Sequence, residues 1–392
     1  MKVICSFLFL IFLLIGCDIA SNKPLPQNQF TIVFENNNNG QDYFPIDIKQ
    51  TADNGYLILA EVQNTATNFP LVYVMKTDEK GVVEWEKLSE SLVSPASELM
   101  ASGSDFVFVC MDKDNLTAKI IKADNSLTEV ASLSTILYPL VAQKVGAGYA
   151  LLSYYPDDKQ TIFTVVNETG SVRLNAKYEV YEDAQQRVFE HITRRGKRLP
   201  FSVGDANGGL YYFNGLSNFT QALVFANSST GEQSGVTNGI RYESAVSALL
   251  PLTNGKYAVT LYDIGGNTRF LMQATMATAE VSSINKLEGV ALPELIPFAP
   301  VKLKKTTLNG KSVCLLNAST KNGQTLLSCY DENSGTFLGS LYYGSGNKTE
   351  LASVAATADG GLIVLVKTYV SGRYGRIMVY KLTKDQADKL AP

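Results

Sequence analysis

One turn motif recurs along the chain and constrains it more than any other feature. Thr51-Ala52-Asp53-Asn54-Gly55-Tyr56-Leu57-Ile58 returns near the end as Thr357-Ala358-Asp359-Gly360-Gly361-Leu362-Ile363-Val364. Looser copies start at Gly103, Gly146, Asn207, Thr253 and Asn309, which makes seven. Gly55 and Gly361 are 306 residues apart, so six intervals average about 51 residues. Self-similarity at a fixed period means that one supersecondary unit is stacked repeatedly.

The turn chemistry identifies the unit. Asp-Asn-Gly and Asp-Gly-Gly supply the positive-φ positions of a tight hairpin. Each turn is followed by a short, nearly continuous apolar run, such as Tyr56–Val62, Tyr149–Tyr155 and Leu362–Val366. Such runs are buried on both faces. The connections are too short for crossover helices, which leaves antiparallel sheets stacked face to face. The expected fold is all-β: a seven-bladed β-propeller of four-stranded antiparallel blades over residues 30–382. The first blade reads as Phe44–Gln50, Tyr56–Val62, Leu71–Thr77 and Val82–Leu88. The last copy shows only three strands, Leu351–Ala356, Leu362–Thr368 and Arg376–Leu382. The unmatched strand Phe30–Phe34 is expected to complete it, which would remove an open sheet edge. Residues 383–392 read as a short charged C-terminal tail. The pattern resembles Bacteroidetes-type lipoproteins with seven-bladed propellers, whose blades carry T-x-D-G-G-Y-like and K-T-D-x-x-G-like turns; the second kind is Lys76-Thr77-Asp78-Glu79-Lys80-Gly81 here. Propellers serve unrelated functions, so the resemblance implies a fold and no activity.

The N-terminus reads as an address. Lys2 precedes an apolar run, Val3 to Ile15, whose length suits a signal-peptide core and is too short to span a bilayer. Leu14-Ile15-Gly16-Cys17 resembles the lipobox of bacterial lipoproteins. That resemblance implies cleavage after residue 16, acylation of Cys17, and anchorage to the inner or outer membrane of the cell envelope. Residues 17–29 then form a polar, proline-containing tether.

Composition excludes several function classes. The 392-residue chain has a formal charge of -3 and one histidine. A multi-histidine metal centre is impossible, and a nucleic-acid partner is not expected. Neither a metal, a cofactor nor a catalytic residue is assigned. Gly310-Lys311-Ser312 lacks the upstream glycine of a phosphate loop, and Asp112-Lys113-Asp114-Asn115 lacks the glycine and distal glutamate of a calcium loop. Cys110 reads as a buried, inert thiol. Cys314 and Cys329 flank the turn at Lys321-Asn322-Gly323. They oppose each other and admit a disulfide if Lys321-Asn322 forms the loop; if Asn322-Gly323 forms it, Cys314 faces Asp331.

Two features are candidates for a site. The segment Tyr178–Leu199 lengthens one repeat and carries His191 with Arg187, Arg194, Arg195, Lys197 and Arg198. It reads either as an anion-binding patch or as a solvated insertion neutralised by Glu179, Glu182, Asp183 and Glu190. Aromatics also recur just before the innermost strands: Tyr43, Phe44, Tyr138, Phe201, Tyr242 and Phe298, with Arg241, Glu243 and Glu350 at similar positions. They suit a ligand grip at the funnel mouth, or packing between blades. The expected function is ligand binding or scaffolding by a monomeric, lipid-anchored propeller, the ligand being a glycan, peptide or envelope protein. The alternatives are a structural subunit of an envelope complex and a carboxylate- or tyrosine-based glycan lyase or hydrolase.

Overall fold

The computed structural model describes residues 29–34, 41–63, 68–196, 198–344, 346–370 and 374–392. The expected leader, Cys17, the tether through residue 28, and Lys197 lie outside the described residues. Among the described residues no helix is long and apolar enough to cross a membrane.

The body is a succession of antiparallel meanders. The first consists of Asp42–Gln50, Tyr56–Gln63, Leu71–Thr77 and Val83–Val93. Innermost strands then follow at Met100–Ser102, Pro139–Val145, Ser202–Ala206, Ala245–Pro251, Lys302–Leu308 and Thr349–Ala356. Each from Met100–Ser102 onward packs beside the next, and Thr349–Ala356 packs back on Asp42–Gln50. This closed succession is a β-propeller, each meander a blade. The described strands form six hydrogen-bonded sheets. The largest has eight strands, because Leu92 and Val93 at the end of the first meander pair with Asp112 and Met111 of the second.

Phe30–Phe34 lies antiparallel to Tyr374–Leu382, with Ile32 opposite Val379. The earliest described strand thus completes the last blade, as the sequence implied. The end of the chain is not a free charged tail. Thr383 caps the helix Lys384–Asp388 with a capping box, and Ala387, Leu390 and Ala391 are buried between the last two blades.

The seven turn copies conform to hairpin chemistry with one correction. Asn54 and Gly360 hold the positive φ, at 66° and 80°. Gly55 is needed for space instead: a Cβ there would sit 2.4 Å from Lys76 Nζ and 2.2 Å from the Thr77 carbonyl. Gly361 has the same relation to Lys381 and Leu382.

The cysteine pair is also corrected. The loop has three residues, Lys321-Asn322-Gly323, closed by Thr320 N–H donating to Gln324 O at 2.8 Å. Cys314 therefore faces Tyr330, and Cys329 faces Leu315. The two thiols point to opposite faces of the sheet and into different apolar clusters. Both are free.

Candidate functional site

The long segment after Val172–Glu179 folds as the helix Gln185–Thr193 and lies across one end of the ring. Ala184, Val188 and Ile192, spaced four apart, form its buried stripe. They pack against Leu71 and Val93 of the first blade, Met111 of the second, Leu140 and Tyr154 of the third, Leu216, and Tyr242. Side chains from successive blades converge there, so the helix plugs the mouth of the ring. Tyr154 Oη accepts from Ala184 N–H at 3.1 Å, and Ser94 Oγ donates to Ile192 O at 2.9 Å.

His191 belongs to this plug. Its Nδ1 accepts from Leu199 N–H at 3.2 Å, a further backbone hydrogen bond reaches Leu140, and Phe201 packs edge-on at 4.7 Å. Burial, then the Arg198 charge, push its basicity well below the usual imidazole range. His191 is a neutral fastener of the helix.

The helix ends at Arg194, which adopts a left-handed C-cap with φ 56°. Its guanidinium donates to the buried Glu61 carboxylate and lies 4.7 Å from the centre of the Phe44 ring. Lys367 Nζ lies 3.6 Å from the same ring centre and 3.0 Å from Asp42. Phe44 is thus contacted by two cations. Glu350 accepts from Lys348 at 2.7 Å and Tyr369 Oη at 3.0 Å. Burial pulls its carboxyl up, but Lys348 and Tyr369 hold it below the ordinary glutamate range. Burial pulls Lys367 down more than Asp42 and Glu350 restore.

Farther along the axis the ring is spanned by charge. Glu98 accepts from Lys302 at 2.7 Å and Lys304 at 2.5 Å. Glu98 precedes the inner strand Met100–Ser102, which does not neighbour Lys302–Leu308 around the ring, so these ion pairs cross the axis. Asp47, fully buried, accepts from Leu99 N–H at 2.9 Å and Ser353 Oγ at 2.5 Å and pairs with Lys49 at 2.8 Å.

The residues singled out from sequence separate into groups. Phe44 and Arg194 come together at the mouth. Tyr43 is buried against Tyr73, with ring centres 5.4 Å apart. Tyr242 is buried beneath Arg187, 4.1 Å from its ring centre. Tyr138 borders the plug's apolar cluster, whereas Phe298 packs on Tyr262 and Arg241 is exposed in a separate loop. Arg195 is exposed just beyond the helix. Tyr138, Arg241 and Phe298 share a left-handed backbone, with φ 46°, 50° and 53°. Tyr138 N–H donates to Leu116 O and Phe298 N–H to Gly266 O across the loop. Their recurrence marks the chain reversal into the next blade.

Sequence reasoning missed Glu61, Asp42 and Lys367. A signal existed: Glu61 and Lys367 are the sixth residues after Gly55 and Gly361, charges inside otherwise apolar runs, and Tyr154 stands in the same place after Gly148. Asp112 is occupied by its own turn and by Lys119. Among the described residues no group of three or more His, Cys, Asp or Glu is placed to hold a metal.

No family model matches the chain, and no curated protein matches it. Solved structures similar to it include the Dos1 propeller, at 8% identity and TM-score 0.47, covering 91% of this chain and 96% of that one. The β-propeller domain of the Trilobed protease from Pyrococcus furiosus has 9% identity and TM-score 0.45, with 89% and 98% covered. A quinohemoprotein alcohol dehydrogenase, ADHIIG, from Pseudomonas putida HK5 has 10% identity and TM-score 0.42, with 92% and 77% covered. The class that the sheets define is an all-β propeller with a helical plug; its architecture rests on strand pairing.

Proposed function

We propose that this chain is a lipid-anchored cell-envelope protein, a seven-bladed propeller that acts as a binding or scaffolding module through its plugged face. The blade count takes the eight-stranded sheet as two blades joined by the short Leu92–Val93 ladder. The observation that carries the binding role is the mouth itself. The helix closes it into a rigid surface on which Arg195 and Arg198 stand exposed beside Arg194, Lys348 and Lys367, which pair with Glu61, Glu350 and Asp42. A glycan or peptide bearing negative charge suits such a surface.

Acid–base catalysis inside the ring needs an available carboxylate pair. Asp47 and Glu98 are each engaged by lysines and hydrogen-bond donors, which favours binding over turnover. The test is a thermal-shift panel on the chain from residue 18 onward, which includes every described residue, against neutral and anionic oligosaccharides and peptides. A saturable rise in melting temperature with an anionic compound, weakened by Arg195→Gln, is the expected result. A flat panel would overturn the ligand-binding role in favour of a structural subunit. Membrane fractionation of Cys17→Ala against the parent chain tests the anchor.

A further inference from the structure

The chain enters the ring at the end of the blades opposite the plug. Phe30 packs on Tyr56, with ring centres 6.0 Å apart. A Cβ on Gly81 would lie 3.2 Å from the Phe30 ring and 2.5 Å from Ile32. Tyr56 follows the Gly55 turn, and Gly81 closes the next one, its N–H donating to Asp78 O at 3.1 Å. Phe30 therefore sits among turns. From there Tyr56–Gln63 rises about 23 Å at ordinary strand spacing. At its far end Gln63 Nε2 donates to Thr193 O of the plug at 3.3 Å. Gly148–Tyr155 and Leu210–Ser217 run the same way, each starting at its own turn and bringing Tyr154 or Leu216 to the helix.

Further turns share the entry face. Gly81, Gly170, Gly231 and Gly335 hold φ between 74° and 85°. A Cβ on Gly170 would meet Ala131 at 2.5 Å, and one on Gly231 would meet Ala176 at 2.7 Å. Each turn thus seats on the outer strand of the blade before it, as Gly81 does on Phe30–Phe34. One or two residues beyond Gly81, Gly170 and Gly335 stand Val82, Val172 and Phe337, 61%, 51% and 54% exposed. Phe189 and Phe219 are exposed at the plugged end too, so apolar exposure alone does not choose between the faces. The point of entry does. Twelve residues, 18–29, separate Cys17 from Phe30. A coil of that length spans about 20 Å, shorter than the blade edge it would have to climb to bring the mouth to the membrane.

We propose that the turn face rests on the lipid surface and that the plugged mouth points away from it. This rests on the lipid-anchored reading and adds an orientation to it. Val82, Val172 and Phe337 then reach the headgroup zone, where buried apolar area adds to the hold of an acyl anchor. The basic mouth takes its anionic ligand from the aqueous side, not from a lipid headgroup.

The test uses the full lipidated chain in vesicles of phosphatidylethanolamine and phosphatidylglycerol. Some headgroups carry a nitroxide, and the protein carries a fluorophore on one introduced cysteine. Cys110, Cys314 and Cys329 are buried and stay unlabelled. The three labelling positions, Val172, Phe337 and Gln186, are all exposed, so substitution there leaves the core intact. The nitroxide should quench probes at Val172→Cys and Phe337→Cys about twofold or more, and leave a probe at Gln186→Cys, on the plug helix, at full intensity. A quenched Gln186→Cys probe, or a turn-face probe that stays bright, would overturn the orientation. Flotation of the parent chain against Cys17→Ala separates this from the anchor itself. A parent chain that does not float overturns anchor and orientation together; one that floats and fails the quenching test overturns the orientation alone.

Discussion

Lys76 reaches across its hairpin to Asp53, Nζ to carboxylate 2.9 Å, directly over the place where Gly55 lacks a side chain. Lys381 and Asp359 repeat this at the same distance in the last blade, and Lys122 pairs with Asp105 at 2.9 Å in the second. The two turn motifs that look separate in sequence are halves of one contact. Gly55→Ala should therefore destabilise by about 1–3 kcal/mol through crowding, whereas Asn54→Gly, already at positive φ, should be near neutral. Urea melts of the two variants distinguish space from conformation.

Acid should loosen the plug before it loosens the turns. The folded-state pKa of His191 lies well below 6.5, so folding keeps it neutral where the unfolded chain binds a proton. Its contribution is full above pH 6.5 and declines as pH falls below it, by up to about 1.4 kcal/mol per pH unit. Asp53 and Glu332 are both pushed down to about 2, Asp53 by Thr51 and Lys76, and Glu332, against the pull of burial, by Ser312 and Thr253. Their contribution is lost only below about pH 4.5. Melting temperature against pH should show two windows, and His191→Gln should flatten the upper one.

The thiols should be silent in the folded protein. Burial pushes Cys314 and Cys329 up to about 12, so both remain protonated and shielded at neutral pH. A thiol reagent should label neither until denaturant is added, and a reductant should leave the melting temperature unchanged. A reductant-sensitive melt would contradict the observed register.

Removing residues 1–40 deletes Phe30–Phe34 and leaves the last blade with an exposed edge. Broad, low-temperature unfolding or aggregation is the expected outcome, seen by calorimetry and light scattering. Ile32→Asp should produce a milder version of the same effect.

The architecture was largely readable because its determinants are local. Turn residues and apolar runs repeat, and Phe30–Phe34 had no other unfilled place to go. What escaped was set by long-range contact. Arg187 to Arg198 look solvated when counted as charges, yet Ala184, Val188 and Ile192 carry a helical period that only the mouth of the ring gives a reason to bury. Glu61 and Lys367 were hidden for the opposite reason, as single charges in apolar strands whose partners lie 133 and 325 residues away. The cysteine register turned on a loop of three residues instead of two, a choice made by Gly323 at φ 75°.

The strand that shuts the ring is also where the chain enters it. On the lipid-anchored reading, any tension transmitted from the membrane arrives at residue 29 and loads the Phe30–Phe34 ladder first. Handle and clasp are one element, so a mechanical pull opens the wheel at its seam, leaving the helix-plugged hub to yield last.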